Sequence, residues 1–233
     1  MPDTLLVPSI EQRIAGMLEV TRRLKEERGA GKGKPTITIS REFGCEAYPM
    51  AERLAQLLEA KTRQPWAVMD KGLLEEVARR HDLAEDVLQT LGHRPRFLDE
   101  MISTLTSRWK SEKDYYRLLC RQIVSLATAG NVILIGRGSS IITQQLDNCY
   151  HFRIYASLDY KVRSIARRSR ISRQDAEILI ERRQKERDRF IRDFLDCDAA
   201  DLSFYHLAFN NDRNPPDRIA QLIADYLFLK TEA

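Results

Sequence analysis

Cysteine is scarce and scattered. The four residues Cys45, Cys120, Cys149 and Cys197 form no CxxC pair and have no neighbouring His to complete a zinc set. That spacing argues against a disulfide framework or a structural zinc. Long apolar runs are also missing: the longest uncharged stretch, Gln122 to Gly136, is broken by Gly130 and Asn131. It is shorter than the roughly 20 apolar residues of a membrane span. The opening MPDTLLVPSIEQR has neither the basic start nor the long apolar centre of a secretory signal, so a cytoplasmic chain without a membrane partner is expected. No repeat recurs at a solenoid period, and the one low-complexity tract is a short Gly/Lys run.

What is present suits a globular chain. Its 233 residues are 43% hydrophobic and 31% charged, with a mean hydropathy of -0.43. This is enough apolar material for one core with a modest appendage. Net charge is only +4, yet between Lys161 and Arg192 twelve basic residues face five acidic ones. The rest of the chain is therefore slightly acidic, and an anionic partner is expected near the basic segment.

Apolar residues at Ile10, Ile14, Met17, Leu18 and Leu24 make a helical stripe that ends in Gly29-Ala30-Gly31-Lys32-Gly33-Lys34-Pro35. Strands are predicted at Thr36 to Ser40, Trp66 to Met69, Val132 to Ile135, Tyr150 to Tyr155 and His206 to Phe209. Helical text lies between them, at Lys71 to Arg80, Tyr115 to Ala129 and Leu158 to Phe194, with a closing helix at Arg218 to Leu229. The long helical region breaks near Ser169 to Ser172, where Ser172 can cap a new helix with Asp175 three residues on. Short apolar strands alternating with helices predict an α/β fold with a parallel sheet covered on both faces.

In such a sheet the ligand crevice lies beyond the carboxyl ends of the strands. The first loop there runs Ser40-Arg41-Glu42-Phe43-Gly44-Cys45-Glu46-Ala47-Tyr48-Pro49 and leads into a helix that Pro49 is placed to begin. Against the phosphate-loop pattern GxxxxGK[ST] it keeps Gly44 and little else. The run Gly29 to Lys34 looks closer to that pattern. It follows a helix and precedes a strand, so it reads as a linker with solvated lysines. Asp70-Lys71-Gly72 follows the second strand. Gly136-Arg137-Gly138-Ser139-Ser140 follows the third, and there a planar guanidinium between glycines can hold a phosphate or make an ion pair. The basic helical pair places Arg163 and Arg167 on one face. Cys45 is a reactive thiol if the helix start lowers its pKa, or else a small filler.

Taken in order, these pieces resemble the cytidylate kinase-like family of P-loop nucleoside monophosphate kinases. ITISREFG, VMDKGLLEEVA, VILIGRGSSII and HFRIYASLDYKVRSI carry the resemblance over about Thr36 to Asn210. Gln184-Lys185-Glu186-Arg187 and Tyr205-His206-Leu207 continue it without a gap. The resemblance implies a P-loop NTPase-type three-layer sandwich with a five-stranded parallel sheet. Residues 1–35, the helix and linker read above, stand outside it, and a kinase-like domain is expected over 36–233. That domain carries an acceptor-binding helical insertion at 71–129 and an arginine lid at 163–192. The implied reaction transfers the γ-phosphoryl of Mg-ATP to CMP or a related monophosphate. The implied cofactors are ATP and Mg2+, with the metal held mainly by nucleotide phosphates and no protein metal ligand.

By the same resemblance, Ser40, Arg41, Gly44, Cys45, Glu46, Ala47 and Tyr48 hold the donor phosphates. Asp70 and Lys71 line the acceptor side, Arg137 clamps the acceptor phosphate, and Arg163, Arg167 and Arg187 act from the lid.

The departures from the family pattern gather at the chemistry. Gly44 to Pro49 replaces GSGGRE, which adds Glu46 where phosphates would bind and Pro49 where an amide and a hydroxyl could serve. Gln184 replaces an acidic residue expected to orient the lid arginines. They support a second hypothesis, a catalytically inactive module of the same fold that binds a nucleotide or a protein partner. A third, RNA binding through the basic arm, is disfavoured because few aromatics interleave its arginines. The N-terminal stripe must be buried, against the domain or in a homodimer.

Overall fold

The computed structural model describes residues 34–79 and 112–231. The N-terminal helix, its Gly/Lys linker and the middle of the 71–129 insertion lie outside the described residues. The elements run β1 (Thr36–Arg41), α1 (Ala47–Thr62), β2 (Ala67–Met69), α2 (Lys71–Arg79), α3 (Glu112–Ala129), β3 (Val132–Ile135) and α4 (Ser139–Ile142). They continue with β4 (Cys149–Tyr155), α5 (Leu158–Ser169), α6 (Arg173–Leu195), a 3-10 turn (Leu202–Phe204), β5 (Leu207–Asn210) and α7 (Pro216–Thr231).

All five strands are parallel, in the order β2-β3-β1-β4-β5. The five predicted strands are all present, with ends shifted by at most one residue, because each apolar run is bounded by Gly, Pro or Asn or by a helix start. The sheet separates two apolar layers, which makes the three-layer sandwich. On one side Ile37, Ile39, Ile133, Phe152 and Ile154 pack on α1 and α7; on the other, Met69, Val132, Leu134 and Cys149 pack on α2, α3 and α4. Alternating residues of β1 serve both layers, so Thr36 and Thr38 are fully buried and satisfy their hydroxyls inside. Among the described residues no helix is long and apolar enough to cross a membrane.

The basic helical pair breaks where predicted. Arg170 terminates α5 with φ 53°, and Ser172 caps α6 by accepting from the Asp175 amide at 3.1 Å. Val162, Ile165, Ala176 and Ile180 form a small core of their own that Phe43 joins. One expectation needs correction: α1 begins at Ala47, two residues before Pro49. Proline is tolerated at this third helical position because first-turn amides have no partner within the helix.

Candidate anion-binding site

A cavity of about 470 Å³ opens at the carboxyl ends of β1 and β3, roofed by α6 and floored by α4. Chain order reverses at this point: β1 and β3 are neighbours, whereas the connection from β3 crosses to β4 on the far side of β1. Such a switch point leaves a crevice between diverging connections. The cations Arg41, Lys71, Arg137, Arg153, Arg183 and Arg187 line it against the two carboxylates of Glu186 and Asp188.

The turn after β3 is built for close approach. Gly136, Arg137 and Gly138 have φ of 79°, 55° and 72° in succession, a backbone that costs a non-glycine residue roughly 1 kcal/mol or more. A Cβ on Gly136 would lie 1.9 Å from Arg41 Nη1, so only glycine there lets the Arg41 guanidinium rest on the turn. Arg137 stacks 4.5 Å from the Phe190 ring centroid and pairs with Glu75. Thus the ion pair and the cavity wall are the same residue. Its Nε is buried without a hydrogen-bond partner among the described residues.

Crowding of like charge shows in the titration behaviour. Burial first, and then Arg187, pulls Arg41 down to about 9 and Arg137 to about 10, both still cationic at neutral pH. Burial first, then Arg137, lowers Lys71 as well. Arg187 donates to the Arg41 carbonyl at 3.2 Å and lies 5.1 Å from the Phe43 ring centroid. Among the described residues neither Arg41 nor Arg187 has a carboxylate within ion-pair distance. Such a cluster is stabilised by an anion entering the cavity.

The loop between β1 and α1 behaves differently. The Phe43 amide donates to Gln184 Oε1 at 2.8 Å, the Glu46 amide to Asn211 Oδ1 at 3.2 Å, and the Cys45 amide to the Glu42 carbonyl at 3.4 Å. Arg168 donates to the Gly44 carbonyl at 3.0 Å, and Lys161 pairs with Glu42 at 2.7 Å. A Cβ on Gly44 would lie 2.7 Å from Lys161 Cβ, so α5 packs directly on the loop. The Glu46 carboxylate turns toward α5, accepting from Ser164 Oγ at 2.9 Å and facing Arg167 at 3.4 Å. It is therefore aimed away from the cavity, and Cys45 is buried with its thiol pushed up to about 12 by that burial. The filler reading of Cys45 holds and the reactive one does not.

Of the residues singled out in the sequence, Ser40, Arg41, Lys71, Arg137 and Arg187 come together around the cavity. Gly44, Cys45, Glu46, Ala47 and Tyr48 do not line it. Asp70 caps α2 by accepting from the Leu73 amide at 3.0 Å, and its charge partly offsets the burial of Arg41. Arg163 and Arg167 are mostly exposed at 62% and 72%, paired with Asp159 and Glu46. Sequence reading gave no site role to Arg153, Arg183, Tyr205, Ser139 and Glu75, although Ser139 and Tyr205 stand in motifs quoted above. Arg153 left a signal: an arginine in the otherwise apolar run of a central strand is costly to bury without purpose. Glu75 left none, since only the fold brings α2 against the β3 turn.

No set of three or more metal-binding side chains occurs among the described residues.

The model of the cytidylate kinase-like family matches residues 36–213. Among solved structures, an uncharacterized protein from Eubacterium ventriosum is 20% identical with a TM-score of 0.65, over 83% of this chain and 98% of that one. TT1252 from Thermus thermophilus is 19% identical over 85% and 99% of the two chains, with a TM-score of 0.40. No curated protein matches. At such identity the Eubacterium ventriosum structure speaks for the fold alone.

Proposed function

The chain belongs to the cytidylate kinase-like family, and from that premise we propose that it binds a nucleoside monophosphate in the arginine cavity and phosphorylates it from Mg-ATP. The observation that carries this reading is the cluster Arg41, Arg137 and Arg187 at the switch point, cationic, partly buried and short of counter-charge. A phosphate dianion supplies that charge, and the guanidinium forks bind its oxygens in parallel pairs.

In the reaction an acceptor phosphate oxygen attacks the γ-phosphorus of ATP, the bond to the β-phosphate bridging oxygen breaks, and ADP leaves with that electron pair. The arginines hold the attacking group and spread the charge that develops on the equatorial oxygens. The donor phosphates belong beside the loop from Arg41 to Tyr48, with Arg163, Arg167 and Arg187 reaching them from the lid. Binding there requires the Gln184 side chain to release the Phe43 amide as ATP enters.

A second reading keeps nucleotide binding and drops catalysis. It is favoured by the committed amides of Phe43 and Glu46. One experiment separates the two: incubation with Mg-ATP and a panel of nucleoside monophosphates, followed by detection of ADP and the nucleoside diphosphate. Transfer that disappears in Arg137→Gln supports the kinase. Monophosphate binding without transfer, and without ATP binding at millimolar concentration, supports the inactive module.

A further inference from the structure

The cavity holds a second cationic position that a monophosphate at Arg41, Arg137 and Arg187 leaves unanswered. Arg153 stands on β4 opposite Ser40 in the register and is only 7% exposed. Its Nη1 donates to Ser40 Oγ at 3.2 Å and to the Ala199 carbonyl, and its guanidinium carbon lies 5.6 Å from the Tyr205 ring centroid. The Tyr205 hydroxyl donates to the same carbonyl at 2.9 Å and lies 3.0 Å from Ser40 Oγ. Every one of these partners is neutral. Among the described residues no carboxylate is within ion-pair distance of Arg153, so a nearly buried cation lacks a counter-ion. In the wall of the same cavity, Ser139 is 1% exposed and its Oγ has no hydrogen-bond partner among the described residues.

This position is distinct from the phosphate cluster. Successive residues of a strand face opposite sides, and residues in parallel register share a side, so Ser40 and Arg153 lie on one face of the sheet and Arg41 on the other. The cavity touches both. A phosphate seated against Arg41 on one face leaves Arg153 on the other without a counter-ion, and a neutral sugar or base would supply hydrogen bonds without charge.

We propose that the ligand of this cavity carries two separate anionic groups, a phosphate at Arg41, Arg137 and Arg187 and a carboxylate or second phosphate at Arg153, Tyr205 and Ser139. The proposal rests on the nucleotide reading above and narrows it to nucleoside monophosphates that bear a further anion.

Two matched pairs of compounds test it by titration calorimetry without ATP: UMP against orotidine 5′-monophosphate, which adds a ring carboxylate, and CMP against cytidine 3′,5′-bisphosphate. On the native chain at least one anion-bearing compound binds about tenfold or more tightly than its parent, the scale of a charge-assisted contact. The member of the pair that gains identifies carboxylate or phosphate. In Arg153→Met the ratio falls to about one while the parent's affinity is kept, and Arg153→Lys retains part of the preference. A purely structural Arg153 would lower both affinities alike, and that outcome overturns the proposal. So does equal affinity within both pairs on the native chain, a result that needs no variant and leaves the kinase reading standing. Failure of all four compounds to bind removes both readings together.

Discussion

Two loops leave the tips of neighbouring strands, and they treat anions in opposite ways. After β1, the amides of Phe43 and Glu46, the Gly44 carbonyl and the carboxylates of Glu42 and Glu46 are engaged by α5, α6 and Asn211. After β3, a strained glycine turn lays arginines against a cavity with fewer carboxylates than cations. The loop after β1 is filled by protein, and the cavity beside the β3 turn is charged and open. The contrast teaches that a glycine in a strand-tip loop does not by itself leave donors free: those beside Gly44 are held by protein, while those beside Gly136 face a cavity.

The comparison can be broken from beneath, from the open side or from the filled side, and the largest effect is expected beneath. His151 faces Thr38 Oγ1 at 2.8 Å, and Thr38 donates to Ser140, which supports α4 under the cavity. Burial, and then His206, lowers its pKa from 6.5 to about 4. The unfolded chain takes up this proton first, so stability is full above about pH 6.5 and falls as pH drops toward 4. The loss amounts to about 3 kcal/mol in all. Urea unfolding across that range should show the slope, and His151→Gln should flatten it.

On the open side, Arg137→Gln keeps a hydrogen bond available for Glu75 and should weaken CMP binding about 30- to 100-fold by calorimetry. Gly136→Ala should follow, because its Cβ displaces the Arg41 guanidinium. A tenfold loss is expected there, on the order of 1.4 kcal/mol. On the filled side, Gln184→Ala frees the Phe43 amide and should raise ATP affinity by only about two- to fivefold. Arg167→Ala, at an exposed pair with Glu46, should change stability by less than about 0.5 kcal/mol in denaturant titration.

The sheet was legible because its signals are local: β-branched or apolar runs, a Gly, Asn or Pro or a helix start after each, and a Ser172-Asp175 cap at the break in the basic helices. The number of strands and the three layers came with the resemblance, whereas the strand order β2-β3-β1-β4-β5 came from the structure alone. The site was legible in part. Arg41, Lys71 and Arg137 sit at strand tips, where topology puts ligands, and Arg187 was marked by the charge of its helix. What could not be read was commitment. Whether Glu46 faces a phosphate or Ser164, and whether the Phe43 amide is open or held by Gln184, depends on contacts more than a hundred residues apart in the chain. Arg153 could have been read from its burial on a central strand, but its neutral partners could not.

Where a phosphate binds distinguishes the two loops, and a crystal structure of the protein with CMP measures that directly. The predicted result is a phosphate held by the guanidinium groups of Arg41, Arg137 and Arg187, with the Phe43 amide still on Gln184. A phosphate bound instead to the amides of residues 43–46, with those three arginines unengaged, would contradict it.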